Sequence, residues 1–164
     1  MKEQTYKKML CTLSANQKLS NFIVITGKAI TYAVYAFYPL FVLYLAIFMR
    51  EPLLRVVLVP AVSFVAVSVV RSALNKPRPY EKYDITPLYN KKTKGNSFPS
   101  RHTFSVIIIG FAALYVNMLL GIAVFVLGVV LAVSRVLCGV HFIKDVVSGL
   151  ISAAACGVVG FYLI

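Results

Sequence analysis

Residues 103–134 read TFSVIIIGFAALYVNMLLGIAVFVLGVVLAVS, 32 positions without a charge. As one helix this run would extend about 48 Å, far more than the ~30 Å hydrocarbon core of a bilayer. As two helices joined by a tight turn it is just long enough to cross twice. Asn117, with Gly121 close behind, is the turn site, which predicts helices over 100–116 and 118–137.

The neighbouring charge-free runs extend the same reading. Residues 29–49 give 21 uncharged positions, with Pro39 inside as a kink site. The run 56–70 has only 15, but Arg55 and Arg71 bracket it. Both side chains reach toward the interface, so 52–74 spans. Residues 146–164 supply 19 more. The predicted architecture is an all-α integral membrane helical bundle, one domain over 1–164, with about five transmembrane helices. A basic, amphipathic N-terminal segment (1–22, helical from about 7 to 22) lies at the interface. No cleaved signal peptide is expected, because polar sequence follows the basic N-terminus.

Composition agrees. Of 164 residues, 60% are hydrophobic, mean hydropathy is +0.83, and 22 are charged, 17 of them basic. That excludes a disordered chain, a fibrous repeat and an ordinary cytosolic enzyme. The net charge of +12 points to lipid head groups and phosphate rather than nucleic acid, since no soluble basic module is present. Cys11, Cys138 and Cys156 form neither a disulfide framework nor a zinc site. Small residues recur every four positions at Gly149, Ala153 and Gly157, and at Gly128 and Ala132. This spacing serves close packing within the bundle, with a dimer face as the alternative.

Five crossings put the N-terminus, the loop 75–99 and the loop 138–144 on one membrane face. That face collects 15 basic residues, against Arg50 and Arg55 on the other. Three clusters there carry chemistry. Arg71 and Arg78 leave the second span; two turns apart, they share a helical face only if the helix continues through Asn75–Pro79, which the prolines oppose. Pro99-Ser100-Arg101-His102 opens the third span, where Ser100 as N-cap and the free N–H groups of a helix start form an anion site. Ser134-Arg135, His141 and Asp145 lie between the last two spans; His141 and Asp145, four apart, would meet on one helical face. Arginines around two histidines and one aspartate favour phosphate over a metal cation. One histidine can attack phosphorus while the other protonates the leaving oxygen. Spacing does not assign the two roles, although a carboxylate beside His141 favours it as nucleophile.

Arg71-x6-Arg78-Pro79, Pro99-Ser100-Arg101-His102 and Ser134-Arg135-x5-His141-x3-Asp145 together resemble the three-part signature of the type 2 phosphatidic acid phosphatase (lipid phosphate phosphatase) superfamily. The resemblance implies a metal-independent, cofactor-free phosphatase with a phosphohistidine intermediate. His141 would be the nucleophile, Asp145 its orienting partner, and His102 the general acid and then base. Arg71, Arg78, Ser100 and Arg135 would hold the phosphate, Arg101 through its backbone N–H. Two positions depart from the common pattern: Arg71 stands where Lys is usual, and Arg101 where Gly is usual. The family often has six helices, the first here replaced by the amphipathic segment.

The substrate implied is a lipid phosphate or diphosphate: a polyprenyl diphosphate such as undecaprenyl diphosphate, phosphatidylglycerol phosphate, or phosphatidate. The setting implied is the bacterial cytoplasmic membrane. The positive-inside rule places the basic face in the cytoplasm, whereas the resemblance leans to the outer face. Two other readings use the same residues: a non-enzymatic binder or transporter of anionic lipids, and a metal-dependent membrane hydrolase.

Overall fold

The computed structural model describes residues 3–89 and 93–164. Residues 90–92 of the predicted loop 75–99, and the first two of the N-terminal segment, lie outside the described residues. The chain runs α1 (Glu3–Ala15), α2 (Gln17–Phe48), α3 (Leu53–Leu74), a short α4 (Pro79–Lys82), α5 (Arg101–Val116), α6 (Met118–Leu137) and α7 (Ile143–Val158), which ends in a π-helical turn, Val159–Leu163.

The predicted hairpin is present. α5 ends at Val116, and extended Asn117 turns the chain, its side-chain oxygen accepting the Leu120 N–H at 3.0 Å. Gly121 lets the two helices approach: a Cβ there would lie 2.4 Å from the Leu114 Cα. α5 is the central helix, with every residue from Thr103 to Gly110 buried. Val106 and Ile109 meet Val34 of α2 and Leu131 of α6, while Phe104 and Ile108 meet Val67 of α3 and Ala153 of α7. The outer surfaces of α2, α3, α6 and α7 expose Leu40, Val62, Val126 and Ile151. Such apolar faces are stable only against lipid.

Four helices are long and apolar enough to cross a membrane: α2, α3 (continued to Lys82), α6 and α7 with its π turn. The chain is a multi-pass membrane protein. The fifth expected span, α5, has 16 residues, about 24 Å of helix, and is enclosed by the others. The small-residue stripes serve packing inside the bundle. A Cβ on Gly128 would meet Ile107 at 2.6 Å, one on Gly157 would meet Phe111 at 2.4 Å, and Ala153 is fully buried.

The N-terminal segment differs from expectation. It divides at Asn16, whose side chain caps the start of α2 by accepting the Leu19 N–H at 3.1 Å. α2 therefore begins twelve residues before the charge-free run does. Hydropathy marks where a helix enters lipid, whereas capping and propagation decide where it starts.

The connections sort the bundle ends. The α2–α3 link, the Asn117 turn and the C-terminus share one end, where Arg55 donates to the carbonyls of Phe161 (3.3 Å) and Ile164 (3.1 Å). The end of α3, the starts of α5 and α7, the end of α6, α1 and the first turns of α2 share the other.

Candidate active site

The site is built on the first turn of α7. Asp145 sits there and accepts the Phe142 N–H at 3.0 Å, an arrangement the positive end of the helix favours. The same carboxylate oxygen accepts the Ser97 hydroxyl at 2.5 Å and lies 3.6 Å from Nδ1 of His141, and Ser97 Oγ is 3.4 Å from that nitrogen. His141 and Asp145 do meet, but not as neighbours on a helical face. α7 begins at Ile143, and Gly139 turns at φ +77°, folding His141 over the helix start.

Burial to 1% exposure pushes the His141 imidazole down to about 4, with Arg78 and Arg71 acting the same way and Asp145 opposing them. The ring is thus neutral at neutral pH. With Nδ1 turned to a carboxylate and a hydroxyl, the Nε2 lone pair is the one left for chemistry.

The arginines attach the neighbouring loops to this core. α3 stops at Leu74 with Asn75 in the left-handed region (φ 37°), so Arg71 and Arg78 do not share a helix. Arg71, buried in the last turn of α3, donates to the Pro99 carbonyl at 2.7 Å. Arg78 spreads its guanidinium over the carbonyls of Gly95 (3.1 Å), Val140 (3.2 Å) and Asn96 (3.4 Å). Glu81 holds this loop from below: it accepts the backbone N–H of Arg78 at 2.8 Å and that of Gly95 at 2.9 Å. Gly95 is at φ +62°, and a Cβ there would fall 2.2 Å from the Asn75 side-chain oxygen. The left-handed backbone favours glycine there, and a side chain would have to displace the Asn75 amide that accepts the Asn96 N–H.

Ser100 is the N-cap residue of α5, yet its hydroxyl does not cap. It lies 3.1 Å from Thr103 Oγ1, while its N–H donates to the Asp145 carbonyl at 2.9 Å. That bond ties the start of α5 to the start of α7, so His102, the second residue of α5 and half-buried, stands at the same end as His141.

Arg71, Arg78 and Arg101 line one cavity of about 300 Å³ with Ser68, Gly95 and Asn96. Arg101 is exposed, its guanidinium 5.7 Å from the centre of the Phe64 ring on α3. Arg135 lies apart from this cavity. It donates to Tyr89 Oη and Thr31 Oγ1, both at 2.8 Å, and so joins α6 to α2 and to the loop. Its backbone carbonyl accepts the Val140 N–H at 3.3 Å. The structure therefore brings Arg71, Arg78, Ser100, His141 and Asp145 together, sets Arg101 at the cavity rim, and puts Arg135 behind the His141 loop. Among the described residues, no three His, Cys, Asp or Glu side chains converge as a metal site.

Sequence reasoning missed two members. Ser97 carries no charge and obeys no spacing rule; its role depends on the fold bringing it to Asp145. Glu81 was findable, since a glutamate three residues after a helix-starting position, with proline between, is a capping pattern.

Residues 52–164 match the PAP2 superfamily, a stretch that contains all three motifs. No curated protein matches the chain. Among solved structures, the crystal structure of Aquifex aeolicus LpxE is similar at TM-score 0.75 and 22% identity, covering 96% of this chain and 92% of that one. The first transmembrane PAP2-type phosphatidylglycerolphosphate phosphatase from Bacillus subtilis is similar at TM-score 0.74 and 20% identity, covering 98% and 81%. At these identities the two structures speak for the fold. With the motifs assembled at one end of the bundle and more than half of the chain matched, the protein belongs to the PAP2 superfamily.

Proposed function

We propose that the protein is a metal-independent membrane phosphatase that removes phosphate from a lipid phosphate or diphosphate. The observation that carries this reading is a buried, neutral His141 held between Asp145 and Ser97, beside an arginine-lined cavity. Binding alone needs the arginines but not the histidine pair.

In the first step the phosphoryl group sits among Arg71, Arg78 and the N–H groups that open α5, which spread its charge. Nε2 of His141 attacks phosphorus, the P–O bond to the lipid breaks, and His102 gives its proton to the leaving oxygen. In the second step His102 takes a proton from water, whose oxygen attacks the phosphohistidine and releases inorganic phosphate. Asp145 stabilises the imidazolium that phosphorylation creates. Ser100 positions the α5 amides through its bond to the Asp145 carbonyl, and Arg135 acts through the loop it braces.

The candidate substrates are a polyprenyl diphosphate such as undecaprenyl diphosphate, phosphatidylglycerol phosphate and phosphatidate. The second is the substrate named for the Bacillus subtilis relative in fold. The setting we infer is the bacterial cytoplasmic membrane, with the site at the outer face.

The test is phosphate release from a panel of these lipids in detergent, with and without exhaustive chelation. Release that survives chelation and stops with vanadate, a mimic of five-coordinate phosphorus, is the expected result. Lipid binding without release from any member overturns the reading in favour of a binder or transporter. Loss of release on chelation overturns metal independence. On the same panel R101G should lower diphosphate turnover more than monophosphate turnover; equal losses would mean that the Arg101 side chain does not read a second phosphate.

A further inference from the structure

The N-terminal helix does something that an interfacial anchor does not require. Tyr6 of α1 is fully buried, and its hydroxyl donates toward the His141 carbonyl at 2.7 Å and the Val136 carbonyl at 3.0 Å. Val136 is in the last turn of α6, and its carbonyl also accepts the Gly139 N–H at 3.0 Å. One side chain thus joins the end of α6 to the peptide of the reactive residue.

The rest of α1 supports the same loop. Leu10 packs on Gly139, whose missing side chain would come within 3.0 Å of the leucine methyl. The Tyr6 ring lies 6.1 Å from Phe142 and 6.3 Å from Tyr83, and Tyr83 meets Phe142 edge-on at 5.6 Å. Phe142 is the residue that follows His141. Arg78 reaches the loop from its other side, through the Val140 carbonyl. The segment 138–142 has little regular structure of its own and is held from both sides.

We propose that Tyr6 is a positioning residue for the reaction: by holding the His141 carbonyl, it fixes the height and tilt of the imidazole over phosphorus. This rests on the phosphatase reading given above. α1 thereby becomes part of the catalytic machinery, although it lies ahead of the stretch that matches the family.

The groups facing His141 set the spectroscopic consequence. Asp145 of α7 lies 3.6 Å from Nδ1, the charges of Arg78 and Arg71 act on the ring, and Tyr6 holds the backbone carbonyl. None of these charges changes when Tyr6 becomes Phe. What changes is how tightly the loop excludes water from the ring, which is the main cause of its low basicity.

The experiment is Y6F in the full chain, read in two ways. In turnover, kcat should fall about tenfold with KM nearly unchanged, as loss of one buried hydrogen bond that acts on geometry would give. In imidazole NMR, the His141 titration midpoint should rise toward the ordinary histidine value. The chain has two histidines, and H102Q assigns the resonances. Y32F, at an exposed tyrosine of α2, should change neither. A Y6F protein with the parent's kcat and His141 midpoint overturns the proposal, even if its Tm is lower. If the parent releases phosphate from no lipid, the phosphatase reading fails, while the NMR midpoint still decides what Tyr6 does.

Discussion

His141 has a defined chemical state because its surroundings leave it little choice. A ring with 1% exposure, two arginines nearby and one carboxylate at Nδ1 is neutral through the physiological range, and a neutral imidazole is a nucleophile. H141A should abolish phosphate release while lipid binding persists within a few-fold; vesicle co-sedimentation beside the release assay checks both. The same ring gives the protein an acid-side weakness. Its folded value of about 4 lies below the 6.5 of an unfolded histidine, so burying it neutral contributes stability fully above pH 6.5. That contribution is lost as pH falls from 6.5 toward 4. The acid-side fall in Tm across that window should be shallower in H141A than in the parent. At this scale the sequence was highly legible for charged residues and poorly so for neutral ones. Arg71, Arg78, His141 and Asp145 announce themselves because charge in apolar sequence needs a reason. Ser97 and Tyr6 do not, because their roles consist of contacts 48 and 135 residues away along the chain.

Between elements, the decisive join is the one from the start of α5 to the start of α7. Gly149 makes it possible: a Cβ there would stand 2.8 Å from the Ser100 carbonyl oxygen, a backbone atom that cannot step aside. G149A should therefore cost about 1–3 kcal/mol through overpacking. It should also lower turnover beyond what its fall in Tm explains, because it separates the Ser100 N–H from the Asp145 carbonyl. Thermal melts paired with activity per folded molecule measure both. Helix ends within the bundle were readable to the residue where a cap and a charge-free run agree, as at Val116, Asn117 and Met118. They were misread where these disagree, as at the start of α2. The loop 75–99 was marked out by the motifs that flank it, but its internal order, set by Glu81 and Asn75 reaching Gly95 and Asn96, follows from pairings that no local pattern encodes.

For the molecule as a whole, one cationic end and one nearly uncharged end raise the question of which faces the cytoplasm. The outer-face placement is open to a direct test, because Cys11 on α1 is exposed at the cationic end while Cys138 is buried and Cys156 lies on α7. In a C156S background, a membrane-impermeant maleimide should label Cys11 in intact spheroplasts. Labelling only after permeabilisation would put the site in the cytoplasm and show that the positive-inside rule prevails over the resemblance.

The early start of α2 has a further result. The first turns of α2 run past the end of α6, since Gly27 lies against Ser134, three residues before that end. The six residues from Gln17 to Phe22 therefore rise about 9 Å past that level. They form a post alongside the His141 loop, with Ile23 packed on Cys138 and Val140. One flank of the His141 loop is thus walled by protein, and a lipid reaching the candidate site sideways through the leaflet would come in around that post.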